Sequence, residues 1–179
     1  MTGVEIFEGY IRIFSALDAE TKKLRVQYYY DRTISEAGIR PYYKQPILET
    51  SDSSVFLFLW VPEGKTRPHS HSGSEARIHV LYGTLRHEHF AIWDEDYELI
   101  DGENYPSLGR DADIDEPDNV VHRVLNPSLR WPALSLHLFV PPLNSMEVYE
   151  FAENKRWTVR GGEDTLGDPP CDAEPIWPS

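Results

Sequence analysis

The chain has 179 residues, a length that favours one domain and that buries about 70% of the unfolded surface, enough for a core held by neither disulfide nor structural metal. Thirty acidic residues against 17 basic ones give a net charge of −13, which argues against nucleic acid or an anionic membrane as partner, because both reward lysine and arginine. The single cysteine, Cys171, rules out an intramolecular disulfide, and the longest apolar run, residues 55–61, is far short of a membrane helix. No basic segment followed by an apolar one opens the chain, so a soluble cytoplasmic protein, monomeric or a small homo-oligomer, is expected.

All 14 prolines lie at or beyond Pro41, and residues 10–37 hold neither proline nor glycine, so helix is cheapest at the N-terminus. Thr2 and Glu5 have capping-box spacing, and Ile6, Phe7, Tyr10, Phe14 and Leu17 recur at helical intervals, which predicts a helix over 4–17. In 20–31, Leu24, Val26, Tyr28 and Tyr30 alternate as in a strand while Leu24 and Tyr28 also suit a helix. Helix is the preferred reading.

From Pro41 to about Val159, short runs rich in Val, Ile, Phe, Tyr and Trp are separated by turn residues every 8–12 positions, the pattern of an all-β sandwich or barrel. Strands are expected at 54–61, 66–71, 75–82, 84–93, 97–100, 119–125, 133–140 and 146–151. The division is an N-terminal helical segment over 1–40, a barrel over 41–160 and an irregular arm over 161–179, in a single domain. Gly161-Gly162, Pro169-Pro170, Pro175 and Pro178 mark the arm, with Trp177 as a possible anchor.

His69 and His71 are two apart in a predicted strand, so both side chains leave the same face and can hold one metal ion. His122 follows the turn signal Pro117-Asp-Asn119 and enters another apolar run. His87 and His89 repeat the two-residue spacing but come directly after Gly83 in what reads as an outer, polar-faced strand. They, with His79, are assigned structural roles.

Gly64-Lys-Thr-Arg-Pro-His69-Ser-His71 with Gly83, and Pro117-x-Asn119-x2-His122-x3-Asn126, resemble the two motifs of the cupin superfamily. The first is one residue short between Gly64 and His69, and the second has Asn119 where glycine is usual. Asparagine tolerates the left-handed conformation such a turn requires. His122-Arg-Val-Leu-Asn126-Pro and Leu134-Ser-Leu-His137-Leu-Phe-Val-Pro-Pro142 are similar to segments of the cysteine dioxygenase family of thiol dioxygenases. The resemblance implies a cupin double-stranded β-helix, a jelly-roll barrel with short N-terminal α-helices, and a mononuclear non-haem Fe(II) held by His69, His71 and His122.

It further implies that Ser135 and His137 act beside the metal, that Tyr42 lines the pocket, and that a small thiol is oxidised by O2 to its sulfinate. Counting back from Gly83 places the usual cupin glutamate at Ala76. Glu75, one residue earlier on a strand, turns to the opposite face. Three neutral imidazoles leave open positions for substrate and O2. Two residues depart from the family pattern. Lys44 stands where the family has its carboxylate-binding arginine, and is either that clamp without the bidentate fork or a solvated lysine at a strand edge. Phe139 stands where the family has a tyrosine, and offers no phenol. A cupin catalysing a non-thiol oxidation or rearrangement, and a non-catalytic metal-binding cupin, are the alternatives.

Overall fold

The computed structural model describes residues 2–93, 96–106, 113–118, 120–161, 163, 165–166 and 169–177. Asn119, Gly162 and Pro178 lie outside them.

Helix α1 spans Gly3–Ser15, and its capping box forms: Glu5 N–H donates to Thr2 Oγ1 (3.2 Å) and Thr2 N–H to Glu5 Oε2 (2.7 Å). Helix α2 spans Ala19–Ala37, capped by Asp18 Oδ1 at Thr21 N–H (2.8 Å) and closed by Gly38 at φ 76°. The helical reading of 20–31 holds, but the helix extends six residues further and turns a different face inward. Val26 is buried while Leu24 and Tyr28 are exposed.

Eleven strands follow among the described residues: β1 Tyr42–Glu49, β2 Ser54–Trp60, β3 His69–Ser70, β4 Glu75–Tyr82, β5 Thr84–Ile92, β6 Tyr97–Pro106, β7 Asp113–Glu116, β8 Val121–Leu125, β9 Ala133–Val140, β10 Ser145–Glu150 and β11 Lys155–Arg160. They form two antiparallel sheets, β1-β2-β9-β4-β7 and β11-β10-β3-β8-β5-β6. This is an all-β cupin double-stranded β-helix carrying two N-terminal helices. Strands β1, β7 and β11 were not among the expected ones, the 66–71 strand shrinks to β3, and the 97–100 strand extends to Pro106.

Side chains of the two sheets meet in an inner core that includes Phe56, Phe58, Trp60, Val80, Leu85 and Met146. The helices pack on the outer face of the first sheet, where Phe7 and Val26 meet Val55, Leu59, Leu134, Leu136 and Leu138. β2 and β9 are therefore buried on both faces, which is why each reads as a near-continuous apolar run rather than an alternating one. Gly64 is required by a close approach, since a Cβ there would stand 1.8 Å from the Pro41 carbonyl oxygen. Gly83 makes the β4–β5 turn at φ 81°. Beyond Arg160 the described residues form no helix or named strand, and the tail is tied by Asn154, which bonds the backbone of Ile176 and Trp177. No described helix is long and apolar enough to cross a membrane.

Candidate metal centre

β3 and β8 are antiparallel neighbours with His69 directly opposite His122, and His71 stands just past the end of β3. The three rings converge inside the barrel, with centroids 4.4 Å (His69–His122), 4.7 Å (His71–His122) and 5.4 Å (His69–His71) apart. One nitrogen of each lies within 4.8 Å of the others, and all three residues are buried. Carbonyls only accept, so Nδ1–H of His69 donates to Arg67 O (2.9 Å) and Nδ1–H of His122 to Val120 O (3.3 Å). That fixes both tautomers with Nε2 as a lone-pair donor. His71 Nδ1 is buried with no hydrogen-bond partner among the described residues.

Burial pushes His69 down to about 4 and holds His71, His122 and His137 well below the usual histidine range, with the neighbouring histidines adding to the effect. Neutral imidazoles converging on one point, with an orphaned buried nitrogen among them, fit a borderline transition-metal ion. The same depression has a consequence for stability. An unfolded histidine takes up its proton near 6.5 and folded His69 only near 4, so between those values the unfolded chain binds more protons. The metal-free protein should therefore lose stability as pH falls from 6.5 towards 4, by about 3 kcal/mol from His69 alone. Urea unfolding at several pH values checks this, and a flat profile would show these imidazoles charged in the fold.

Above the triad lies a pocket whose wall includes Tyr42, Lys44, Phe58, Trp60, His137 and Phe139, with about 20 Å³ of free space, room for one water-sized group. Ser135, His137 and Phe139 alternate along β9 into the barrel, as expected. Trp60 Nε1–H donates to Ser135 Oγ (2.9 Å), which in turn pairs with His137 Nε2 (2.8 Å); with the His137 proton on Nδ1 the serine hydroxyl is the donor in that second bond. Phe58 stacks on His137 at 4.1 Å, and Phe139 meets His71 edge-on at 5.0 Å. Ala76 is buried and Glu75 exposed.

Tyr42 is buried, and its hydroxyl accepts from Thr165 N–H (2.8 Å). Lys44 is half-buried on the edge strand β1. Its Nζ donates to the carbonyls of Gly161 and Glu163, each at 2.6 Å, and lies 5.2 Å from the Phe56 ring centroid.

A family model described as cysteine dioxygenase type I matches residues 47–152, more than half of the chain. The chain belongs to that family. Among solved structures it is similar to an uncharacterized conserved protein with a double-stranded β-helix domain from Klebsiella pneumoniae, at 16% identity and TM-score 0.50, covering 61% of this chain and 84% of that one. Proteins from Bacillus halodurans (18% identity, TM-score 0.48, 60% and 76% covered) and Thermus thermophilus (24%, 0.42, 56% and 84%) are also similar.

One part of this cysteine dioxygenase family chain departs from the reading of its sequence. His87 and His89 are not on an outer polar face. β5 lies beside β8 with His89 opposite His122, so both histidines turn inward, and His87 is buried with its ring stacked 5.1 Å from that of His122. Glu116 of β7, unremarked in the sequence, reaches them and lies 3.6 Å by Oε2 from His122 Nδ1. Burial alone would lower His89, yet Glu116 and Asp101 raise it. Glu116 is desolvated, but His87 and His89 keep its carboxyl below the usual range.

Proposed function

We propose that this chain is a thiol dioxygenase of the cysteine dioxygenase family, which oxidises a small thiol to its sulfinate with O2. His69, His71 and His122 would hold Fe(II), and their convergence from two strands is the observation that carries the reading. Fe(II) in such a site supplies Lewis acidity that favours a thiolate and electrons for O2 activation. The remaining work falls to the protein. Phe58, Trp60, Phe139 and Met146 exclude bulk water from the pocket. The Trp60–Ser135–His137 chain holds a neutral imidazole with its proton on Nδ1, a donor that stays uncharged at physiological pH. Lys44 binds the substrate carboxylate, in competition with the two backbone carbonyls that engage it. Carbonyls are neutral acceptors, and a carboxylate is the stronger one. The acidic surface suits a cytoplasmic enzyme with small-molecule partners.

O2 uptake by the Fe(II)-loaded protein on a panel of thiols tests this reading, with non-thiol acids and amines as controls. Lys44→Met should raise KM about tenfold to a hundredfold for a thiol carrying a carboxylate, and alter it less than about twofold for cysteamine. Equal changes for both would show that Lys44 only latches the segment around Gly161. Uptake on the non-thiol controls alone would replace thiol oxidation with another oxidation on the same site. That rival reading draws on Phe139, which brings no phenol to the pocket.

A further inference from the structure

Beside the triad, β5 and β7 bring together a second set of donor atoms. His87 Nδ1 and His89 Nε2 lie 2.6 and 2.8 Å from the same Glu116 oxygen, and the donor atoms of the three residues lie within 4.8 Å of one another. The side chains of His87 and Glu116 are 0% and 1% exposed. Even so, neither ring nitrogen of His87 nor Oε2 of Glu116 has a hydrogen-bond partner among the described residues. An imidazole always carries at least one N–H, and His87 meets the carboxylate only through a close contact that makes no aligned hydrogen bond, a costly arrangement in the interior.

His89 is held the way a metal-ligating histidine is held. Its Nδ1 meets Asp101 Oδ1 at 2.6 Å, which leaves Nε2 directed inward. The register shift between His89 and Phe90 sets Asp101 opposite His89 across the β5–β6 pair. The side chains of His89 and Asp101 are 25% and 58% exposed, so an ion has a way in from solvent.

We propose that His87, His89 and Glu116 form a second divalent-metal site, separate from the His69/His71/His122 centre and sharing with it the wall made by His122. Two imidazoles and one carboxylate select a borderline ion such as Zn(II) or Fe(II) over Mg(II) or Ca(II). Ligands about 2.0–2.2 Å from a tetrahedral ion stand about 3.3–3.6 Å apart. Opening the set by about 0.5–1 Å through side-chain rotations would therefore admit one.

Metal-free protein dialysed against Zn(II) and counted by atomic emission tests the proposal. About two zinc ions per chain are expected for the unaltered protein, about one for His71→Ala, about one for Glu116→Gln, and about none for the two changes combined. In the His71→Ala protein, Zn(II) should also raise the melting temperature, and His89→Gln, at a partly exposed position, should abolish that rise if Glu116→Gln fails to fold. One zinc in the unaltered protein and none in His71→Ala would overturn the second site. So would two zincs retained by Glu116→Gln, since the extra ion would then lie elsewhere.

Discussion

His71→Ala should lower thiol-dependent O2 uptake at least about a thousandfold, because it removes one of the three histidines that converge on the centre among the described residues. His71 is the cleanest of the three to change. His122 also forms the wall towards Glu116 and stacks on His87, so its loss disturbs two clusters at once. For the same reason His87→Ala is a poor negative control, although its sequence context suggested an outer strand. His79 serves better. It lies on β4 between the inward-facing Ile78 and Val80, so alternation turns it towards the outer face of the sheet. His79→Ala should leave iron binding intact, and activity measured with iron content separates the two outcomes.

Phe139→Tyr carries the second large effect, in the opposite direction. The Phe139 ring stands 5.0 Å from that of His71 and 6.2 Å from that of His137, in the wall of the pocket. A hydroxyl there can hydrogen-bond a charged reacting group, an interaction of about 1.5–3 kcal/mol, or about tenfold to a hundredfold in rate. Steady-state O2 uptake and sulfinate yield on a small thiol should rise together. Falling activity with iron retained would show instead that the apolar face of Phe139 shapes the pocket for a less polar substrate.

What could be read from the sequence depended on how local its cause was. The capping box of α1 is written in Thr2 and Glu5, and the doubly buried β2 and β9 in unbroken apolar runs. The triad was legible because two-residue spacing puts His69 and His71 on one face and the second motif supplies His122. β1 was not among the expected strands, and it holds Pro46, a residue type depleted in strands. At the edge of its sheet a proline removes no bond the strand needs. β7, Asp-Ile-Asp-Glu, has no strand composition. It pairs with β4, and Glu116 is buried against histidines from the opposite sheet. The same long-range pairing misled the reading of His87 and His89, whose polar neighbours suggested solvent. Lys44 could not be placed either, because its partners are carbonyls more than 110 residues away.

If the proposed thiol dioxygenation takes place at the His69/His71/His122 centre, both atoms of O2 end on the sulfur of a small thiol. Mass spectrometry of the product formed under isotopically labelled O2 by the Fe(II)-loaded protein tests it most directly, with His71→Ala as the control. A sulfinate carrying two labelled oxygens, absent with His71→Ala, is the predicted result. Label in a non-thiol product, a sulfur product carrying oxygen from water, or labelled sulfinate undiminished in the His71→Ala protein would contradict it.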